Sequence, residues 1–504
     1  MDEQTKHATT HLTPDPVEAS EAGTRHEDNA RLKEDDATRE GEDATREGED
    51  ATRESESASR EDKDERGGLR ALAIDLTPLR VSREFRLLFA GQAVSFFGSM
   101  MTFVALPWQM YKLTGSSLAV GLLGVAEFVP IFLMSFVGGA LADAVDRRRM
   151  IRLTEALLAA GTAVLVVNSL LPEPRAWVLF FCAGLFAAMN GLQRPSLDAL
   201  MPRIVGPEHV PAAMALRSLS GTVGMIGGPA LGGLLVTTVG PAPTYAFDFV
   251  SFAASLLALW MMRAVPPPAG ADRPSLRSIV EGLRYARGRP ELLGTYLVDI
   301  NAMFFGMPMA LFPAIGERLG GSSVGLLYAA PAAGAMFVTL TSGWTNRVNR
   351  HGLCVALAAA VWGLAIVGFG FAPTLWAALL FLAVAGGADM VSGLFRMTIW
   401  NQTIPDHLRG RLAGIEVVSY TTGPLLGNTE SGLVARLFGV RASVVSGGLL
   451  CVAGTALLSM LLPQLISYDG REGLKRKRAE EEARRERMKD EGGEMKDEVR
   501  AIQH

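Results

Sequence analysis

Gly191-Leu192-Gln193-Arg194 returns about 200 residues later as Gly393-Leu394-Phe395-Arg396. Glu208-His209-Val210 is answered by Asp406-His407-Leu408, and Gly228-Pro229-Ala230-Leu231-Gly232 by Gly423-Pro424-Leu425-Leu426-Gly427. The matches keep a near-constant spacing and fall in or beside long apolar runs. Duplicated halves of membrane carriers leave this kind of internal symmetry. The repeat therefore predicts two similar membrane-embedded halves.

The chain average conceals this. Mean hydropathy is only +0.23, and 20% of residues are charged, values open to a large soluble enzyme. The charge is concentrated at the ends, in residues 1–67 and from about 468 to 504. Between them, apolar segments near 20 residues long follow one another, each enough to cross a hydrocarbon core of about 30 Å. The net charge of −4 thus describes mainly the tails and says nothing of a substrate. Cys182, Cys354 and Cys451 all lie in apolar runs and read as small hydrophobes, not as a disulfide or zinc framework.

No signal peptide is expected, because the first apolar stretch begins only near Phe85. The N-terminal tail carries Asp36-Ala37-Thr38-Arg39-Glu40-Gly41-Glu42, which recurs from Asp43 and again from Asp50. Without an apolar seam at that spacing, a solvated tail is expected, not a coiled coil.

Runs and breaks predict an all-α protein of about twelve spans. Six lie near 86–111, 117–141, 150–171, 177–193, 214–239 and 244–263; six more lie near 292–313, 322–344, 353–372, 375–400, 411–435 and 442–466. The expected organisation is a charged tail (1–67), an N-terminal six-helix bundle (68–263), a central loop (264–291), a C-terminal bundle (292–466) and a second charged tail (467–504). Arginines gather in the even-numbered links: Arg147, Arg148, Arg149 and Arg152, then Arg203 and Arg217, then Arg273 to Arg289, then Arg347 and Arg350, then Arg409 and Arg411. The positive-inside rule then puts those links and both termini in the cytoplasm of a multi-pass plasma-membrane protein. In the central loop, Leu276, Ile279, Val280 and Leu283 recur at helical spacing after a triple proline and predict an amphipathic helix on the inner membrane surface.

Two motifs carry mechanics. The second link reads Gly139 through Asp143, Asp146, Arg147 and Arg148: a small residue for close helix approach, a carboxylate able to cap a helix, and arginines to pair with acids or lipid phosphates. In the fifth span, Gly224, Gly228 and Gly232 stand four residues apart with Pro229 and Gly233 beside them, which makes a bare helix face for another helix to approach. The first resembles the signature loop of the major facilitator superfamily (MFS), G-x-x-x-D-x-x-G-R-R, with Asp146 in place of its glycine. The second resembles the G-P-x-x-G-G motif of MFS exporters. With Pro107-Trp108 and Arg194-Pro195-Ser196, residues 80–466 resemble the branch of macrolide-efflux and enterobactin-type siderophore exporters. The resemblance implies an MFS fold of two six-helix bundles, alternating access and efflux, and it leaves the cargo open.

A charge at mid-membrane costs about 2.5–3.5 kcal/mol on insertion scales, so intramembrane acids are functional candidates. Glu127, ten residues into the second span, is the first candidate for carrying a proton. Asp299 in the seventh span, and Asp389 with Arg396 seven residues on in the tenth, are the next, although Arg396 also reads as an inner-surface anchor like Arg194. Asp248, Glu155 and Glu416 read as interfacial. Phe96, Asn301 and Phe304 are candidates for the substrate cavity. The seven histidines all fall in tails or links, and no phosphate-binding glycine loop ending in Lys-Ser/Thr occurs. The expectation is therefore no catalytic site, metal, cofactor or nucleic-acid partner. A monomer is expected to exchange protons for a small amphipathic molecule across the bilayer; an uptake permease of the same fold and a non-transporting scaffold remain as alternatives.

Overall fold

The computed structural model describes residues 75–144, 146–263, 284–285, 287–405, 409–480 and 482, with the backbone path but not the side chains of 135–144, 195, 199, 346, 409–411 and 413–420. The N-terminal tail, the amphipathic helix expected at 276–283 and the link residues Asp406 to Leu408 lie outside the described residues. The side chains of Asp143 and Glu416 and the surroundings of Gly139 do too.

Twelve long helices form the described chain, and no strand occurs among its residues. They are α1 (Arg83–Thr114), α2 (Ser117–Ala144), α3 (Arg147–Leu170), α4 (Ala176–Val205), α5 (Val210–Thr238), α6 (Pro241–Met261), α7 (Pro290–Phe305), α8 (Val324–Leu340), α9 (His351–Phe371), α10 (Leu375–Thr403), α11 (Arg409–Phe438) and α12 (Val440–Leu461). Ten segments are long and apolar enough to cross a membrane, α7 with its continuation counting as one; α8, apolar but only 17 residues, is shorter. Three aromatic side chains near helix ends, Trp177, Trp260 and Trp376, are 61%, 71% and 79% exposed. Such placement suits an interfacial belt, where an amphipathic ring meets both lipid and water.

Local sequence explains the turns. Ser82 accepts from the Phe85 N–H at 3.1 Å and caps α1. At the other end Gly115 takes φ 61°, left-handed and free of Cβ strain, and closes the helix onto the Tyr111 carbonyl. Asp146 caps α3 by accepting from the Arg148 N–H at 2.9 Å.

Two departures from the sequence reading matter. The fourth span, expected to end near 193, runs as α4 to Val205. The seventh breaks: after Phe305 the chain turns through Gly306-Met307-Pro308 and a short 3₁₀ turn (Met309–Leu311) before resuming as Phe312–Arg318. Pro308 and Pro313 cannot donate backbone hydrogen bonds, which accounts for the interruption. Phe312 holds the restart in place, edge-on to Tyr328 at 4.9 Å and to Phe369 at 5.8 Å.

Helices α1, α5 and α6 pack together, as do α2 with α4 and α3 with α4 and α6. The second group repeats the plan, with α7 against α11 and α12, and α9 and α10 against each other. The two groups meet where α2 packs on α11 and α5 on α8.

Candidate functional site: a carboxylate-lined cavity between the helix groups

Glycines set how closely these helices meet. A methyl on Gly224 would sit 2.6 Å from the Phe96 ring, one on Gly228 2.5 Å from the Met100 Cβ, and one on Gly232 2.6 Å from the Met101 Cα. The whole stripe therefore packs on α1, inside its own group. Gly423 and Gly427 repeat this on α7, where a methyl would meet the Met303 Cβ at 2.7 Å and the Phe304 carbonyl at 2.5 Å. Contact between the groups comes from other glycines. Gly233 faces Gly325 of α8 backbone to backbone, and Gly121 and Gly124 of α2 face the Asn428 and Leu425 carbonyls of α11. The sequence carried a signal for this seam: Val120-Gly121-Leu122-Leu123 recurs as Val324-Gly325-Leu326-Leu327.

All these seam contacts lie toward one end of the bundle, where α2 and α8 begin and α5 and α11 finish. At that end Lys112 of α1 also pairs with Glu317 at 2.5 Å. The Asn428 side chain accepts from the Ala310 N–H at 3.1 Å, tying α11 to the break after α7.

Beneath the seam lies a cavity of about 430 Å³, within the size range of small-molecule sites. Its wall comes chiefly from α1, α2, α3, α4 and α6, with Met309, Ala310, Tyr328, Thr421 and Asn428 from the second group. Glu127 lines it and makes no hydrogen bond or ion pair among the described residues.

Glu155 and Asp248, read from sequence as interfacial, are each only 1% exposed and line the same cavity. Glu155 accepts from Gln92 Nε2 and Gln193 Nε2, both at 2.8 Å, and from Ser95 Oγ at 3.3 Å. Asp248 accepts from Thr102 Oγ1 at 2.5 Å and from Ser251 Oγ at 3.3 Å. Their depth was misjudged because a helix that bears one polar face inward reads, residue by residue, much like one emerging from the bilayer.

Of the expected cavity residues, only Phe96 lines it. Asn301 instead donates to the Cys451 carbonyl at 2.9 Å and to Thr455 Oγ1 at 3.3 Å, bracing α7 against α12. Phe304 lies edge-on to Phe305 at 4.9 Å. Asp299, Asp389 and Arg396 come together away from the cavity. Arg396, 8% exposed, pairs with Asp299, and its Nη2 stands 3.7 Å from Asp389. The surface-anchor reading of Arg396 therefore gives way to a buried pair with Asp299, with the half-exposed Asp389 at its edge, while its sequence counterpart Arg194 is exposed.

In the signature loop, Arg148 donates to the carbonyls of Leu259 at 2.8 Å and Trp260 at 2.7 Å. It closes the C-terminal end of α6, where a cation also complements the helix dipole. Asp146 caps its own helix.

Apolar helices around a mostly apolar cavity that carries three carboxylic acids suit a membrane transporter, and the chain's family and relatives make it one rather than an enzyme. Transmembrane secretion effectors match residues 73–495, and the chain belongs to this family of MFS exporters. It is 30% identical over 412 residues to the enterobactin exporter EntS of Escherichia coli O157:H7, covering 79% of this chain and 98% of that one. It is also 30% identical over 395 residues to the EntS of Shigella boydii serotype 18, covering 77% and 94%. Solved structures share the fold at low identity. A bacterial homologue of the human lysosomal transporter Spinster superposes with a TM-score of 0.60 at 15% identity over 78% of this chain and 97% of that one. The nucleoside transporter NupG gives 0.59 at 13% identity over 77% and 100%.

Proposed function

We propose that the protein is a proton-coupled exporter of small amphipathic molecules, of drug or siderophore type, working by alternating access. The described conformation is then the one open to the cytoplasm. The observation that carries this reading is the seam: the contacts between helix groups gather at one end, directly over a cavity that holds an unpaired carboxylic acid. The arginines of the even-numbered links and the positive-inside rule make the opposite end cytoplasmic, with both termini there.

In this cycle the α1–α6 and α7–α12 groups rock about the cavity. Opening outward requires Gly233 to part from Gly325, Gly121 from Asn428 and Lys112 from Glu317. Glu127 is the proton carrier, because it is the cavity acid without a fixed partner. Taking a proton from outside and releasing it inside resets the carrier after cargo leaves. The enterobactin export named for the relatives supports the outward direction. Inverted vesicles holding the purified protein test it: an imposed proton gradient, acidic inside, should drive cargo into the lumen, and a protonophore should stop it. Accumulation indifferent to the protonophore would remove the coupling.

A further inference from the structure

The chain does not leave the bundle where α12 ends. After a short turn it forms a helix over residues 470–480, which touches the ends of α7, α9 and α10. One stripe of this helix is docked. A Cβ on Gly470 would strike the His351 ring, and one on Gly473 the Tyr468 phenol, so the backbone itself packs there. Further along the same stripe the buried Lys477 donates to the Asn401 carbonyl, and Glu480 pairs with Arg289. Arg476 reaches Glu291 from the edge of the stripe.

The far side of the helix is built differently. Arg471, Lys475 and Arg478 follow one another at i, i+4 and i+7 and so form one row. All three are exposed, and none has a side-chain partner among the described residues. Over 471–478 five residues are basic and only Glu472 is acidic, and docking uses just two of the five, Arg476 and Lys477. Like charges one turn apart destabilise a helix, so the row carries a cost that docking does not offset. Leu474, beside the row, is 39% exposed. Arg284 and Arg287 are exposed next to Tyr285, which is itself tied to the end of α10, and they add positive charge to the same end.

Glu291 and Asn401, which the helix grips, lie at the ends of apolar spans, so the helix sits where the bilayer meets water. Basic clusters just beyond the last span attract anionic lipid, and an apolar side chain among them can enter the acyl boundary. We propose that the row Arg471, Lys475 and Arg478 binds anionic phospholipid headgroups of the adjoining leaflet, the inner one by the positive-inside rule. Leu474 enters the acyl boundary, and lipid charge thereby holds the tail helix on the ends of α7 and α10. The inference needs only a bundle embedded in a bilayer and is independent of cargo, direction and coupling ion.

The test measures amide hydrogen exchange over residues 470–480 in the full-length protein. Nanodiscs are made of phosphatidylcholine alone or with about one-third phosphatidylglycerol. The anionic lipid should slow exchange roughly threefold or more, and salt at about 0.5 M should abolish the slowing by screening. The combined Arg471→Gln, Lys475→Gln and Arg478→Gln protein should exchange like the parent in phosphatidylcholine and gain nothing from phosphatidylglycerol. Arg471→Lys with Arg478→Lys, which keeps the charge, should retain the slowing. Equal exchange of the parent in the two lipids, or the same slowing in the triple Gln protein, overturns the proposal. If the Gln changes loosen the helix in phosphatidylcholine itself, the parent's lipid comparison, its salt reversal and the Lys variant decide. Millimolar glycerol 3-phosphate should leave exchange in phosphatidylcholine unchanged; slowing equal to that by the lipid would make the row a site for soluble anions and overturn it. Slowing by polyglutamate but not by phosphatidylglycerol would assign the row to an acidic protein, and equally overturn it.

Discussion

A methyl group on Gly325 would sit 2.8 Å from the Cα of Gly233, so α5 and α8 meet backbone to backbone between the two helix groups. Lipid offers no hydrophobic drive for helix association, and close packing of this kind is what holds such a seam. Gly325→Val should therefore prevent closure of the end that the seam seals. Export should drop more than tenfold while the protein still reaches the membrane, and a cysteine introduced at Ser99 on the cavity wall should become open to a membrane-impermeant thiol reagent from that side. Parental export from Gly325→Val would show the seam to be slack.

The glycine stripe of α5 leads to a different expectation. Gly228 packs on Met100 and Gly423 on Met303 with nearly the same closeness, each inside its own group. Gly228→Val and Gly423→Val should thus cost similar stability, about 1–3 kcal/mol each from overpacking. Thermal unfolding in detergent reads this directly. A much smaller loss at Gly423 would mean that the α5 stripe is packed under tighter constraint than its counterpart.

The internal repeat and the run lengths made the fold legible, because a duplicated bundle must repeat its packing residues as well as its hydropathy. Glu127 was legible for a simple reason: an acid in the middle of an apolar run has no local excuse. Asn301 and Phe304 were misplaced because periodicity gives a helix its face but not its neighbour, and theirs are α12 and Phe305. The break after α7 was hidden too, since Pro308 and Pro313 sit among apolar residues that an unbroken span tolerates equally well.

Arg396 and Asp299 form a pair in which both members are nearly inaccessible, at 8% and 4% exposure. Arg396→Met should destabilise by about 3–5 kcal/mol, because it removes one member of a buried ion pair. The double change with Asp299→Asn should recover much of that loss. A double-mutant cycle of melting temperatures gives the coupling, and additive losses would mean that the two charges act independently.

The C-terminal tail is more than solvated charge, at least over 470–480, which is helical. Lys477 donates to the Asn401 carbonyl at 3.2 Å and the Tyr285 phenol to the Thr403 carbonyl at 3.1 Å, so two separate segments close the end of α10. Arg476 adds a 3.2 Å contact to Glu291, and Arg289 pairs with Glu480. Burial pushes the Tyr285 phenol above its ordinary range, so it remains a donor from mildly acidic to mildly alkaline pH. Truncation after residue 467 should therefore lower the melting temperature by several degrees, whereas removal of residues 1–67 should leave transport unchanged. Lys477→Met, which keeps the apolar stem, should lose about 1.5–3 kcal/mol, the worth of a charged hydrogen bond. Tyr285→Phe should lose about 1 kcal/mol, and equally so across that pH range. A melting temperature that ignores the truncation would show that the α10 end holds without its latch, and a loss at Tyr285→Phe confined to low pH would mean that the phenol ionises after all.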